Sequence, residues 1–176
     1  MPTTENAILG LIAANVAVFM LWRSASPSFM RKHFMISVEN VKSGRLHTVI
    51  TSAFSHMDLD HLFSNMLGLY FFGSSIGYHF GAGFVLKLYL AGAVGGSIFY
   101  LAHHSLISPI SKGASGAVNA IMLLNIFLFP KATIYFGLLI PLPAYVVKYS
   151  EISGAAHLGG AFVAAVTWAL LKKGMI

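Results

Sequence analysis

Residues 59–80 read LDHLFSNMLGLYFFGSSIGYHF. A helix crossing the hydrocarbon core of a bilayer takes about 20 mainly apolar residues, and this run supplies them. Two polar residues near its start, His61 and Asn65, lie four apart and therefore share a helical face. Polar groups inside a spanning helix are costly, so each needs a reason.

Similar runs lie on both sides. Residues 7–22, AILGLIAANVAVFMLW, are stopped by Arg23. Residues 83–102, 114–130 and 154–171 are further candidates, the last closed by Lys172 and Lys173. Residues 132–147 make a fifth crossing interrupted by Pro141 and Pro143. The expectation is an all-α, polytopic membrane bundle of six transmembrane helices, the fifth short or distorted, in one domain covering 1–176. Residues 23–57 mix basic residues with Phe, Met and Val, which reads as an amphipathic loop lying on the membrane surface. Gly73, Gly77 and Gly81 on the second run, and Gly92 and Gly96 on the third, read as close helix packing.

Composition agrees. Hydrophobic residues make up 57% of the 176-residue chain and charged residues 9%, against about 25% charged in an ordinary soluble domain. The absence of cysteine excludes thiolate metal sites and cysteine nucleophiles. The net charge of +6 comes from residues lying mostly between apolar runs, as in membrane loops, so nucleic acid is not expected as a partner. The opening Met-Pro-Thr-Thr-Glu-Asn carries no basic stretch of the kind that starts a cleavable signal. Lys and Arg favour the side bearing the long loop, which would turn that side toward the cytoplasm or matrix.

Four intramembrane polar residues carry the candidate chemistry: His61, Asn65, Ser115 and His157. Ser115 stands in Gly113-Ala114-Ser115-Gly116 at the start of the fourth run, where glycines permit close approach and unpaired helix N–H groups suit an oxyanion. The same pattern also fits an ordinary helix cap. His157, among Ala155, Ala156, Gly159 and Gly160, suits a general base or a buried histidine satisfied by a neighbour. Two connections separate the fourth and sixth runs, so both residues enter from one side at similar depth. His61 and Asn65 can donate to an oxyanion, while His56 organises the loop before them. The five acids all lie outside the helix interiors, leaving a Ser–His dyad without a carboxylate orienter. A metal site of His56, His61 and His103 or His104 lacks any recognised ligand spacing.

Together these features resemble the rhomboid family of intramembrane serine proteases over nearly the whole chain. The resemblance rests on His-x-x-x-Asn (His61, Asn65), Gly-x-Ser-Gly (Gly113–Gly116) and Ala-His-x-x-Gly (Ala156, His157, Gly160), in order and on the expected helices. The stretch TSAFSHMDLDHLFSNMLGLYFFG is most similar to the mitochondrial branch. The resemblance implies Ser115 as nucleophile and His157 as base, with His61, Asn65 and the Ser115 N–H as oxyanion hole and Gly113, Gly116, His56 and Gly160 in support. It further implies transmembrane protein substrates, no cofactor, no metal, and residence in the mitochondrial inner membrane. The alternative is an inactive relative that binds membrane clients.

Four departures stand out. His47-Thr48 occupies the place of a Trp-Arg pair in the first loop, Gly77 that of a glutamate, and Asn119 that of a tyrosine beside the histidine. Ala132–Ala144 resembles the family's embedded loop before the fifth helix, leaving few residues for a full crossing before His157. Either 132–149 crosses, bent at its prolines, or the fifth helix is truncated.

Overall fold

The structure, a computed structural model, describes residues 3–106, 116–130, 133–136, 140–143 and 155–176. Helix α1 spans Thr4–Ser24, its first turn capped by Thr3, whose hydroxyl accepts from the Asn6 N–H at 3.2 Å. Glu5 and Arg23 sit at its two ends with the signs that favour the helix dipole. Short helices α2 (Pro27–Phe34), α3 (Val38–Lys42) and α4 (Thr48–Thr51), then a 3-10 turn at Ser52–Phe54, build the surface loop. Helices α5 (Leu59–Phe80), α6 (Ala82–Leu106), α7 (Gly116–Leu128) and α8 (Ala155–Lys172) complete the bundle. Helix α1 and residues Ala82–His103 of α6 are each long and apolar enough to cross a membrane by themselves, while α7 and His157–Lys172 are apolar but shorter.

The helical bundle is as expected, and helices occupy the first, second, third, fourth and sixth anticipated spans. The fifth differs. Its described residues form two antiparallel strands, β1 (Thr133–Phe136) and β2 (Ile140–Pro143), with Thr133 opposite Pro143 and Phe136 opposite Ile140. Pro141 and Pro143 cannot donate to a helical ladder and would clash within one, whereas Thr-Ile-Tyr-Phe suits a strand. An open two-stranded ladder leaves backbone groups unpaired, so it belongs at the membrane surface or against protein rather than across bare lipid. The other positions of that expected helix, 132, 137–139 and 144–147, lie outside the described residues.

Side-chain contacts fix the helix directions. The hydroxyl of Thr4 donates to the Gly77 carbonyl at 3.1 Å, and Gly73 faces Ile8, so α1 and α5 run antiparallel. Gly68, midway along α5, faces Val118 at the start of α7, and His79 meets Phe129 at their far ends with ring centroids 4.8 Å apart. Those two helices are parallel. Gly160 abuts Gly116 at the starts of α8 and α7, and Trp168 lies 6.2 Å from Phe127 toward the ends. Helices α5, α7 and α8 therefore start at one end of the bundle.

Helix α7 is the hub. Residues 116–121 and 123–126 are all buried, and Asn125 donates to the Ser75 hydroxyl of α5 at 2.7 Å. Glycines make the close contacts. A Cβ on Gly92 would meet Ala120 Cβ at 2.7 Å, and one on Gly159 would collide with the Gly95 backbone. Gly81, expected in the same stripe as Gly73 and Gly77, instead terminates α5 with φ of 83°, a conformation that favours glycine.

Sequence reading passed over one polar tie. Asn15, fully buried in α1, donates to the Tyr89 hydroxyl of α6 at 3.1 Å and to the Leu11 carbonyl at 2.8 Å. Tyr89 in turn donates to the Ala53 carbonyl at 3.1 Å. The tie joins α1, α6 and the surface loop inside an apolar bundle, where polar side chains must find partners. An asparagine in the middle of an apolar run was the available signal.

Candidate active site

The shared starting end of α5, α7 and α8 brings three of the sequence-identified positions together. His157 sits in the first turn of α8, half-buried, and its Nδ1 is buried with no hydrogen-bond partner among the described residues. His61, in the first turn of α5, lies within electrostatic reach of His157. Gly116 opens the described part of α7, and its carbonyl packs against Gly160, one turn beyond His157. Gly113 and Ser115 lie outside the described residues, in the positions leading directly into Gly116.

Small residues produce this convergence. Any side chain on Gly160 would drive into the α7 backbone, so the two helix starts approach as closely as main chains allow. That contact sets the depth of His157 relative to the beginning of α7.

Asn65 is half-buried on the same face as His61. Its Nδ2 donates to the His61 carbonyl at 2.8 Å. A carboxamide nitrogen has two hydrogens, so one donor remains after this bond. The bond also holds the amide toward the beginning of the helix.

His56 is 1% exposed, and neither ring nitrogen has a hydrogen-bond partner among the described residues. Its ring stands edge-on to His61 with centroids 5.1 Å apart. Burial, with His61 adding to it, pushes the imidazole down to about 4, while the nearby Phe54 backbone pulls weakly the other way. At neutral pH His56 is therefore uncharged. It packs beneath His61 and limits how that ring can turn. Among the described residues, no three His, Asp or Glu side chains gather into a metal-binding cluster, His56, His61 and His103 included.

The sequence matches the rhomboid domain family over residues 43–173. RHOMBOID-like protein 12, mitochondrial, of Arabidopsis thaliana is 52% identical over 200 aligned residues, covering 97% of this chain and 60% of that protein. Rhomboid-like protein 16, chloroplastic, of the same plant is 40% identical, covering 97% of this chain and 63% of its own. Rhomboid protein 1, mitochondrial, of Saccharomyces cerevisiae is 33% identical, covering 90% and 51%. The chain thus spans about three fifths or less of the length of these relatives. Rhomboids are generally intramembrane serine proteases. On the family match and the whole-chain identities, this chain belongs to the rhomboid family.

Proposed function

We propose that the chain is an intramembrane serine endopeptidase of the mitochondrial inner membrane, with Ser115 as nucleophile and His157 as base. The observation that carries this reading is the parallel run of α5, α7 and α8, which gathers His61, Gly116 and His157 at one end. Ser115 precedes Gly116 directly.

In this mechanism a transmembrane segment of a client protein unwinds near the membrane surface. Ser115 Oγ attacks the scissile carbonyl as neutral His157 takes the hydroxyl proton. The resulting oxyanion accepts hydrogen bonds from the Ser115 N–H, the free Asn65 hydrogen and His61. Collapse breaks the peptide bond, and His157 returns its proton to the leaving amine. Water then attacks the acyl-enzyme with His157 again as base, releasing the carboxylate and restoring Ser115. No carboxylate among the described residues orients His157, so its packing against the small residues of α8 and α7 takes that part. The chain works as one membrane domain.

A serine-reactive fluorophosphonate provides the test. The folded protein should label at Ser115 alone, and both labelling and cleavage of a model transmembrane substrate should vanish in Ser115→Ala. Cleavage that survives this change sinks the assignment.

One observation favours a second reading, a client-binding rhomboid that does not cut. With 97% of a 176-residue chain aligned over 200 positions, about 30 positions of the plant mitochondrial relative face gaps here, more than the ~20 residues of one crossing. Purified protein that co-isolates with a helical client yet leaves it whole would establish that role.

A further inference from the structure

The loop between α1 and α5 is held by one buried amide. Asn40 is 5% exposed, and its Nδ2 donates to the carbonyls of Arg31 at 2.9 Å and Met35 at 2.7 Å. Its Oδ1 accepts from Arg45 Nε at 2.9 Å, and its own N–H is capped by the Ser37 hydroxyl at 3.1 Å. The end of α2, the start of α3 and the turn after α3 are thereby fastened into one small body, with Arg31 and Arg45 both attached to it. Tying Arg45 through Nε leaves its two terminal nitrogens facing outward from that bond.

The charge on this body is one-sided. Arg31, Lys32, Lys42 and Arg45 stand against a single acid, Glu39, within residues 24–57. Arg31, Lys32 and Lys42 are exposed. Phe29, Leu46 and Ile50 are exposed as well, while Met30 on the opposite side of α2 is fully buried. Exposed apolar side chains interleaved with basic ones suit neither water nor hydrocarbon alone; they suit the boundary where acyl chains meet headgroups. The platform also sits at the starting end of α5, α7 and α8, because α5 begins directly after it. It is anchored to the bundle by Ser97 of α6, whose hydroxyl donates to the Val49 carbonyl at 2.8 Å.

We propose that this platform binds the phosphate groups of anionic phospholipids, with Arg45 as the fixed guanidinium and Arg31, Lys32 and Lys42 as the flexible rim. Guanidinium groups grip phosphate through paired N–H donors, and Asn40 preorganises that of Arg45 so that less ordering is left to binding. Phe29, Leu46 and Ile50 enter the acyl boundary beside the headgroup. The bound lipid would set the depth at which the His56–His61 end of the bundle rests.

The test uses the intact protein in nanodiscs of phosphatidylcholine alone or mixed with phosphatidylglycerol. Lipids retained after detergent extraction are counted by native mass spectrometry. Wild type should retain phosphatidylglycerol over phosphatidylcholine and lose the bias at high salt. Arg31→Gln/Arg45→Gln should reduce the bias about fivefold for each charge removed. If that pair fails to fold, Lys32→Gln/Lys42→Gln, at two exposed positions, carries the same expectation. Lys172→Gln/Lys173→Gln, at the end of α8, should keep the bias. An unchanged bias in the loop variants, equal loss in the α8 variant, or displacement of the lipid by inorganic phosphate would each overturn the proposal, the last by revealing a free-anion site.

Discussion

The carbonyl oxygen of Gly116 stands where a Cβ on Gly160 would have to go. This contact joins the starts of α7 and α8 and holds His157 beside the residues that follow Ser115. Gly160→Ala should cost about 1–3 kcal/mol as the backbones separate, and cleavage should fall further than stability because His157 moves with α8. Gly10→Ala and Gly83→Ala, whose added Cβ meets nothing within 4 Å, should keep wild-type activity. Thermal unfolding in detergent, read beside cleavage rate, separates the two effects.

Asn65 offers a second measurement. With one hydrogen committed to the His61 carbonyl, the other is the donor that the proposed mechanism assigns to the oxyanion. Asn65→Ala should lower kcat by about 10²–10³ and leave KM little changed, since the ground-state carbonyl gains little from that donor. A change confined to KM would assign Asn65 to substrate binding instead.

His56 makes stability depend on pH. Its folded-state value of about 4 lies below the ordinary 6.5, so the unfolded chain takes up a proton first as pH falls. Stability is full above about pH 6.5, declines down to about pH 4, and loses roughly 3 kcal/mol across that window. In His56→Phe this contribution should disappear, so the fall in unfolding temperature between pH 6.5 and 4 becomes shallower. An identical pH profile in the variant would show that other groups dominate the acid response.

The Asn15–Tyr89 bond is open to a double-mutant cycle. Tyr89→Phe removes the hydroxyl that accepts from Asn15 and donates to the Ala53 carbonyl. The coupling between Asn15→Leu and Tyr89→Phe should be about 0.6–2 kcal/mol, the range for hydrogen bonds between membrane helices. Strictly additive losses would show that the two side chains act separately.

The helices were legible where apolar runs marked them. Residues 59–80 form α5 as read, and the other helical spans shift by a few residues at their ends. The fifth was not, because 132–147 is apolar enough for a helix while Pro141 and Pro143 forbid one, and composition does not rank those two influences. The candidate site was legible as residue types at helical spacing. What spacing could not reveal was the neighbour each residue meets across helices: the Asn65 bond to the His61 carbonyl, the edge of His56 against His61, and the Asn15–Tyr89–Ala53 tie. Each depends on how separate segments dock, which a single sequence records only indirectly.

The enclosure of α7 carries a consequence for how the protein is made. Residues 116–121 and 123–126 are enclosed by neighbouring helices, and Asn119 and Asn125 are among them. Two amides enter an apolar interior at lower cost once other helices surround them. Insertion of α7 must therefore be cooperative with α5 and α6 emerging before it and α8 emerging after. A ribosome-bound intermediate halted before α8 should hold α7 only loosely, and the final helix acts as the latch that commits the bundle.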